Sequence, residues 1–400
     1  MQPLRFATAG SVDDGKSTLI GRLLYDSRAV QEDQLAAVER ASQRRGGARL
    51  DLSLLTDGLE AEREQGITID VAYRYFATPK RKFIIADGPG HVQYTRNMAT
   101  GASNADALVL LVDVNEGLKP QTKKHLQIAR LLGIRQVVAF VNKMDLAGWS
   151  REAFEEAATG VKAFAAPLGL ESLDVIPGSA LEGDMVVERG GSGEMRLAWY
   201  KGPTLLERLE TLNAGVESAA SEPFRFPVQL VSRPQAGAPR GYMGRIESGH
   251  LLAGTEVLLL PSGRRTRVRQ ILTHDGSREL AVAGDSVTLV LAEDIDLARG
   301  DLIAEAVNPP REARSLDATL VWLGHEPLRP GARYLLQQSA RRLIAKVQAD
   351  APLALNDIGE ARLTLSAPLY VDPYDAVRTT GSFILIDEAT NHTVAAGLVK

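Results

Sequence analysis

Short apolar runs alternate with helix-length segments over roughly the first half of the chain. The runs cover Leu4 to Ala9, Phe83 to Ala86, Ala107 to Val112, Val137 to Val141 and Asp174 to Ile176. Continuous apolar runs of this length indicate parallel strands that are covered by helices on both faces. We therefore predict an α/β domain over residues 1–213, with a last helix from Thr204 to Leu212 that Pro203 introduces.

The pattern changes after Pro227 to short strands separated by turn residues. Examples are Glu256 to Leu260, Thr266 to Leu272 and Ser286 to Ala292. This spacing predicts antiparallel barrels or sandwiches. Because Asn308-Pro309-Pro310 interrupts the region, we expect a linker at 214–227 and two small β domains at 228–307 and 311–400.

Two segments of this second half concentrate positive charge. Arg265, Arg267 and Arg269 alternate along a predicted strand beside Arg264, and a helix-like segment from Gly331 to Val347 carries Arg333, Arg341, Arg342 and Lys346. Such rows are usually solvated faces. The alternative is a surface for a polyanion or an acidic partner, and both interpretations stay open.

The amino-acid composition excludes several kinds of functional site. The chain has no cysteine, which excludes disulfides, thiolate zinc sites, iron–sulfur ligation and cysteine nucleophiles. Its formal net charge of −4 differs from the strongly basic balance of a nucleic-acid binder. No apolar run approaches the ~18 residues of a membrane span, and the first residues lack the apolar core of a secretory signal. We expect a cytoplasmic protein.

A glycine-bearing loop joins the first predicted strand to a helix. The sequence there is Gly10-Ser11-Val12-Asp13-Asp14-Gly15-Lys16-Ser17-Thr18, which fits G-x-x-x-x-G-K-[ST] between a strand and a helix. Glycines let successive backbone N–H groups surround phosphate oxygens at a helix N-terminus. We predict that Lys16 reaches the β- and γ-phosphates and that the Ser17 hydroxyl is a ligand of Mg²⁺.

A second motif, Asp87-Gly88-Pro89-Gly90, follows the predicted strand Phe83 to Ala86. A carboxylate at a strand end can hold Mg²⁺, so Asp87 is a candidate metal residue, and the Gly90 N–H can contact a γ-phosphate. His91 comes next, and a histidine can orient or polarise the water that attacks the γ-phosphorus. We predict that role for His91, against the alternative of a surface histidine with no role.

Two further motifs indicate guanine recognition. Asn142-Lys143-Met144-Asp145 follows an apolar run, and Ser179-Ala180-Leu181 follows the next. The Asp145 carboxylate can accept hydrogen bonds from the ring N–H and the exocyclic amine of guanine, a donor pair that adenine lacks. Lys143 can lie over the base, and Asn142 can tie its loop to the phosphate-binding loop. The Ser179 to Leu181 segment can offer a backbone N–H to the guanine carbonyl.

The segment from Asp57 to Asp70 is highly charged and, taken alone, is most simply a solvated helix face. However, Thr68 stands between two β-branched residues upstream of Asp87, which suits a switch that orders when Thr68 contacts Mg²⁺ and a γ-phosphate. The motifs together predict a GTP site with Mg²⁺, in which His91, Lys16 and Thr68 are catalytic. The predicted fold class is an α/β P-loop GTPase domain, with a mainly parallel sheet and helices on both faces, followed by two small antiparallel β-barrel domains.

The motifs resemble those of a known superfamily. GSVDDGKST, EREQGITID, DGPGH, NKMD and SAL are similar to the translational GTPases of the elongation factor Tu class. The longer stretches GSVDDGKSTLIGRLLYD, DGLEAEREQGITIDVAYRYF and HVQYTRNMATGAS resemble more closely the GTPase (large) subunit of bacterial sulfate adenylyltransferase, or ATP sulfurylase. Asp13-Asp14 and Tyr73-Arg74-Tyr75-Phe76 are the discriminating details, and the resemblance covers nearly the whole chain.

The resemblance implies a partner and a reaction. A smaller subunit would transfer the adenylyl group of ATP to sulfate in sulfate assimilation, and GTP hydrolysis on this chain would drive that step within a heterodimer. The chain departs from the family at Gly88, where Thr or Ala is usual, and at Val92, where Glu is typical. The rival interpretation is a translational GTPase that delivers aminoacyl-tRNA, which the slightly acidic balance supports little.

Overall fold

The structure is a computed structural model of the 400-residue chain. It describes residues 3–44, 50–56, 68, 70–91, 94–170, 173–191, 195–214, 221–233 and 240–400. Contacts divide the chain into two compact units, Met1–Ala214 and Gly215–Lys400. The predicted three-domain division therefore stays a prediction. Most of the charged segment before Thr68, Val92 and part of the predicted linker lie outside the described residues.

The first unit is built on a six-stranded sheet. Its strands are β1 (Leu4–Ala9), β2 (Ala72–Ala77), β3 (Lys82–Asp87), β4 (Ala107–Asp113), β5 (Gln136–Asn142) and β6 (Asp174–Pro177), in the spatial order β2-β3-β1-β4-β5-β6. The pairs β1–β3, β1–β4, β4–β5 and β5–β6 are parallel, and β2–β3 is antiparallel. Parallel strand ends meet at one edge, so the predicted motifs after β1, β3, β5 and β6 share that edge.

Helices connect these strands. They are α1 (Lys16–Asp26), α2 (Glu32–Arg44), α3 (Thr95–Ser103), α4 (Pro120–Leu131), α5 (Arg151–Ala165) and α6 (Leu205–Thr211), with 3₁₀ turns at Leu52–Leu55 and Ala166–Leu168. Local sequence signals fix several of their ends. Ser150 caps α5 by accepting a hydrogen bond from the Ala153 N–H at 3.2 Å. Thr204 and Glu207 form a capping box at the start of α6.

The second unit opens with an antiparallel sheet. Its strands are β7 (Arg225–Ser232), β8 (Gly241–Arg245), β9 (His250–Leu252), β10 (Glu256–Leu260), β11 (Arg264–Thr273), β12 (Gly276–Arg278), β13 (Leu280–Val282), β14 (Ser286–Leu291) and β15 (Leu302–Glu305). The order is β10-β15-β7-β8-β14-β11-β12, and β10 also pairs with β11, so the pairing closes on itself. A core that includes Phe226, Tyr242 and Ile271 fills this barrel.

A second closed barrel follows. It consists of β16 (Arg311–Trp322), β17 (Arg333–Gln338), β18 (Arg341–Ala349), β19 (Ile358–Val371), β20 (Ser382–Ile386) and β21 (Thr393–Val399). Its separate core includes Trp322 and Tyr334, whose ring centroids lie 5.7 Å apart in an edge-to-face arrangement. The parallel-sheet unit and the two antiparallel barrels confirm the predicted fold class.

A buried ion pair joins the two barrels. Arg225 is fully buried, and its Nε and Nη2 donate to the two carboxylate oxygens of Asp372 at 2.9 Å each. Thr380 Oγ1 donates to the same carboxylate at 2.5 Å. A bidentate pair of this kind fixes orientation, since either charge left alone in the interior would be costly.

The structure corrects one sequence interpretation. The segment from Gly331 to Val347 is not helical, because it forms the hairpin of β17 and β18. In β18 the buried side chains alternate with exposed ones, so Lys346 faces solvent between Ala345 and Val347 in the core. That spacing of two residues is the period of a strand. Among the described residues, no helix is both long and apolar enough to cross a membrane.

Candidate guanine-nucleotide site

The phosphate-binding loop occupies residues 10–15, between the end of β1 and the start of α1. Asp13 and Gly15 adopt left-handed backbone conformations, with φ of 66° and 91°. A Cβ on Gly15 would overlap the side-chain nitrogen of Asn142, so this position requires glycine both for conformation and for space. Lys16 Nζ donates to Ser11 O at 2.6 Å and to Gly10 O at 3.4 Å. The lysine side chain thus lies across the loop in which it is predicted to bind the β- and γ-phosphates.

Asp14 braces this loop from inside the protein. Its fully buried carboxylate accepts a hydrogen bond from the Ser11 N–H at 2.6 Å and pairs with Lys119 Nζ at 3.0 Å. Thr122 Oγ1 adds a third donor at 3.4 Å. Asp14, predicted to bind nucleotide, therefore acts here through the shape of the loop. The loop is thus held by Lys119, which caps the start of α4, and by Thr122 within α4, both more than a hundred residues away in sequence.

The segment after β3 lies against the phosphate-binding loop. Asp87 is buried and accepts a hydrogen bond from Thr8 Oγ1 at 3.2 Å. Burial lowers the pKa of Lys16, while the carboxylates of Asp87 and Asp14 oppose that change. A Cβ on Gly90 would overlap Lys16 Nζ and come within 3.0 Å of the Ser11 carbonyl. The close approach of these two loops therefore depends on the absence of a side chain at position 90.

His91 is half-buried next to Gly90, and its ring centroid lies 5.9 Å from that of Tyr94. The aromatic neighbour restricts where the imidazole can lie. His91 does not line the cavity described below.

Asn142, at the end of β5, joins the two ends of the site. Its Nδ2 donates to Asp14 O at 2.8 Å, and its Oδ1 accepts the Ala180 N–H at 2.9 Å. The link to the phosphate-binding loop that was expected from sequence is thus present. Lys143 has a left-handed φ of 64°, and its Nζ pairs with Asp113 Oδ2 at 2.8 Å, which orients the stem of this side chain.

Asp145 is tied to the loop that follows β6. Ser179 Oγ donates to Asp145 Oδ1 at 2.6 Å. On the other side, Arg22 of α1 donates to the Leu181 carbonyl at 2.6 Å and to the Ala180 carbonyl at 3.3 Å. These bonds fix the carboxylate and the backbone of residues 179–181 relative to each other, which is the geometry that recognition of one base edge requires.

The motifs surround a cavity of about 460 Å³. It is lined by Val12, Asp13, Gly15, Lys16, Ser17, Thr18, Ser53, Thr68, Gly90, Asn142, Lys143, Asp145, Leu146, Ser179, Ala180 and Leu181. The other predicted site residues lie within the described ranges but do not line it: Gly10, Ser11, Asp14, Asp87, Gly88, Pro89, His91 and Met144. Met144 is instead fully buried in the core.

Several residues of the site were missed from sequence. Ser53 reaches the cavity from the 3₁₀ turn Leu52–Leu55, and no motif signals it. Leu146 is 68% exposed and directly follows Asp145, so an apolar residue next to the guanine motif was the available signal. Lys119 could not be identified, because its partner Asp14 is distant in sequence.

A buried polar chain lies beneath the phosphate-binding loop. Gln121 Nε2 donates to Thr95 Oγ1 at 3.1 Å and lies 2.7 Å from His125 Nε2. An amide N–H can only donate, so His125 accepts at Nε2 and is neutral. Burial, together with the charge of Lys16, lowers the pKa of His125 to about 3. A histidine with this pKa adds no positive charge next to Lys16 at neutral pH.

Acidification is expected to destabilise the protein partly through His125. Its pKa is about 3 when folded and 6.5 by its ordinary value, so between these pH values the unfolded chain binds the extra proton. The free energy of unfolding then falls by up to about 1.4 kcal/mol per pH unit as the pH drops. His125→Gln retains an acceptor for Gln121. Its free energy of unfolding, measured with urea, should fall less steeply as the pH drops from about 6.5 to about 4. Identical slopes would contradict this assignment.

The donor chemistry fits Mg²⁺. Two hydroxyls, on Ser17 and Thr68, line the cavity, and the Asp87 carboxylate lies at the end of β3. Among the residues that the structure describes, no group of three or more His, Cys, Asp or Glu side chains could hold a metal by itself. Mg²⁺ characteristically takes one or two protein oxygens together with phosphate oxygens, so Ser17, Thr68 and Asp87 have the chemistry to hold it beside a triphosphate.

Comparison with known proteins gives the class first. The family described as elongation factor Tu GTP binding domain matches residues 2–218, and the GTP-eEF1A C-terminal domain-like family matches residues 315–400. The chain is therefore a GTP-binding protein of the elongation factor Tu type, which agrees with the fold and with the cavity between the four motifs.

Relatives define the family more closely. The chain is 48% identical to sulfate adenylyltransferase subunit 1 of Aeromonas hydrophila, over 99% of this chain and 86% of that protein. It is 50% identical to the same subunit of Vibrio vulnificus, with the same coverage, and 49% identical to that of Rhizobium tropici, over 100% and 82%. The chain belongs to the sulfate adenylyltransferase subunit 1 family, as the sequence resemblance predicted.

Proposed function

We propose that this chain is the GTP-binding and GTP-hydrolysing subunit of a sulfate adenylyltransferase. Hydrolysis of GTP is coupled to the reaction of ATP with sulfate, which yields adenosine 5′-phosphosulfate and pyrophosphate. The observation that carries the GTPase half is the cavity lined by the phosphate-binding loop, Asp145 and the 179–181 loop. Membership of the subunit 1 family supports the transferase half. We infer that a smaller second subunit, which transfers the adenylyl group, is the partner in a heterodimer.

In this proposal the two ends of the cavity have separate tasks. At one end, backbone N–H groups at the start of α1 and the charge of Lys16 bind the β- and γ-phosphates. Ser17, Thr68 and Asp87 would hold Mg²⁺, which supplies neutralisation of phosphate charge when bound. At the other end, the Asp145 carboxylate accepts hydrogen bonds from guanine, and the 179–181 backbone faces the guanine carbonyl.

Hydrolysis is proposed to occur by direct attack of water. The water oxygen forms a bond to the γ-phosphorus, the bond from that phosphorus to the β–γ bridging oxygen breaks, and the water proton leaves with the released phosphate or to solvent. The Gly90 N–H contacts the γ-phosphate oxygens, and His91 orients the water. The protein therefore acts mainly through positioning and charge stabilisation.

Replacement of His91 by alanine is expected to lower kcat for GTP hydrolysis by about 100-fold, since the water loses its positioning group. The Kd for GTP should change by less than about twofold, because His91 does not line the cavity. Single-turnover hydrolysis and equilibrium binding measure the two quantities separately. His91→Gln, which can also orient water, should retain more activity. A comparable loss of GTP binding would instead make His91 a structural residue.

The coupled function can be tested with the purified chain. GTP turnover is measured alone, with the small subunit, ATP and sulfate, and separately with ribosomes. We expect the sulfate-activation mixture to stimulate hydrolysis and ribosomes to have no effect. Stimulation by ribosomes without stimulation by the sulfate mixture would favour delivery of aminoacyl-tRNA and would overturn the proposal.

A further inference from the structure

Arg196 lies behind both loops that form the base end of the cavity. Its Nη1 lies 3.7 Å from Glu182 Oε2 and 3.8 Å from Asp184 Oδ2. Its guanidinium also stacks over the Trp149 ring, 4.8 Å from the ring centroid. The side chain is 23% exposed, so most of it is enclosed by protein. No sequence motif pointed to this residue.

The two acidic partners belong to the turn that carries the 179–181 backbone. The Ser179 N–H donates to Asp184 O at 3.1 Å, and the Glu182 N–H donates to Ser179 Oγ at 3.2 Å. The same Ser179 hydroxyl donates to Asp145. A shift of Glu182 or Asp184 would therefore move the backbone that lines the cavity.

The aromatic partner belongs to the other turn. The Trp149 N–H donates to Met144 O at 2.8 Å, which closes the turn that carries Asp145. Trp199 Nε1 donates to Trp149 O at 3.2 Å and anchors the turn independently of Arg196. The Asp145 turn thus has its own support. The 179–181 backbone is held by Arg22 and Asn142, and Arg196 adds ionic contacts to Glu182 and Asp184 at the far end of that turn.

Charge explains why an arginine is needed here. Asp184 is fully buried, and burial raises the pKa of its carboxyl, a rise that Arg196 and the Gly191 backbone oppose. A buried carboxylate stays ionised only if a positive partner compensates the lost hydration. At 3.8 Å the guanidinium compensates the charge of this carboxylate without a hydrogen bond and at the same time stacks on the Trp149 ring. Lysine cannot combine the two contacts equally well.

We propose that Arg196 is a positioning residue for guanine specificity. It holds the 179–184 turn against the 144–149 turn, so that the backbone of residues 179–181 stays in reach of the guanine carbonyl. This inference rests on the proposed GTP site and assigns Arg196 no contact with the nucleotide itself. Loss of Arg196 is therefore expected to change the selectivity between bases and to leave the hydrolytic step unaffected.

The test compares the affinities of Arg196→Met for GTP, ITP and ATP in the full-length chain. ITP keeps the carbonyl that the 179–181 backbone faces but lacks the amine that Asp145 recognises. Loss of Arg196 should therefore lower the affinities for GTP and for ITP by the same factor, about tenfold. The weak affinity for ATP should not change. At saturating GTP, kcat should stay close to that of the wild type. Arg151→Met, which breaks an exposed ion pair of α5, is the matched control and should change none of these values.

Two further variants keep the outcomes distinct. Arg196→Lys keeps the charge and should lose only part of the selectivity, so it decides the matter if Arg196→Met fails to fold. An unchanged ratio of GTP to ATP affinity in both variants, or an equal loss for all three nucleotides, would overturn the role of Arg196. Asp145→Asn in the same assay tests the base site itself. If that variant alters selectivity while both Arg196 variants do not, only the inference about Arg196 fails.

Discussion

Replacement of Asp145 by asparagine is expected to lower the affinity for GTP by about 100-fold or more and to raise the affinity for xanthosine triphosphate. Each hydrogen bond to a charged group contributes about 1.5–3 kcal/mol, and the carboxylate is proposed to accept two from guanine. An asparagine amide presents a donor nitrogen instead, which suits the carbonyl of xanthine. The amide oxygen can still accept the bond that Ser179 Oγ now donates, so the loop should keep its position.

Equilibrium binding of GTP and xanthosine triphosphate measures this effect. Glu155→Gln is a suitable control, because Glu155 is an exposed carboxylate of α5 that pairs with Arg151 at the surface. This control should leave both affinities unchanged. Unchanged base preference in Asp145→Asn would remove this residue from guanine recognition.

The second large effect is expected for Gly90→Ala. The added Cβ would overlap Lys16 Nζ and lie 3.0 Å from the Ser11 carbonyl. We expect the end of Lys16 to be displaced and the segment after β3 to shift away from the phosphate-binding loop. The Gly90 N–H would then be withdrawn from the γ-phosphate. Loss of one such donor lowers kcat by about 100-fold or more. The affinity for GDP should change little, since the phosphate-binding loop is proposed to supply the contacts to the β-phosphate.

Gly88→Ala provides the matched comparison two residues away. Its Cβ would lie 3.3 Å from Met98 Cγ and 3.4 Å from Thr8 O, which small shifts can accommodate. We therefore expect less than about a threefold change in kcat. Pre-steady-state hydrolysis of GTP by the two variants, with binding of GTP and GDP, makes the comparison. Equal effects at both positions would show that the overlap at Gly90 is not the cause.

The parallel part of the fold was predictable because β1, β3, β4, β5 and β6 are continuous apolar runs that the sheet buries. β2 was not predicted. It is an edge strand of the sheet formed by the described residues, and its side chains Tyr73 and Tyr75 are exposed, so it lacks a continuous apolar run. The hairpin of β17 and β18 was mistaken for a helix because its charged residues were considered without the two-residue period of its apolar ones.

The candidate site could be proposed from sequence where one short segment contains the whole signal. Lys16, Asp145 and their neighbours follow strand ends in recognisable motifs. The supporting contacts of Asp14 with Lys119 and of Arg196 with Glu182 and Trp149 join segments that are far apart in sequence or lack a motif. Such contacts depend on how the helices pack against the sheet, and a single sequence carries no periodic signal for them.

The single amide of Asn142, which bonds to both Asp14 O and the Ala180 N–H, has a practical consequence for protein engineering. It connects the phosphate and base ends of the cavity without involving Asp145. Under the proposed role of Asp145 in guanine recognition, the choice of base could therefore be redesigned at Asp145 while the scaffold of the cavity is retained. A chain altered in this way would use a triphosphate, such as xanthosine triphosphate, that other GTPases bind poorly. Adding that triphosphate to a mixture of GTPases would then start hydrolysis by the altered chain alone.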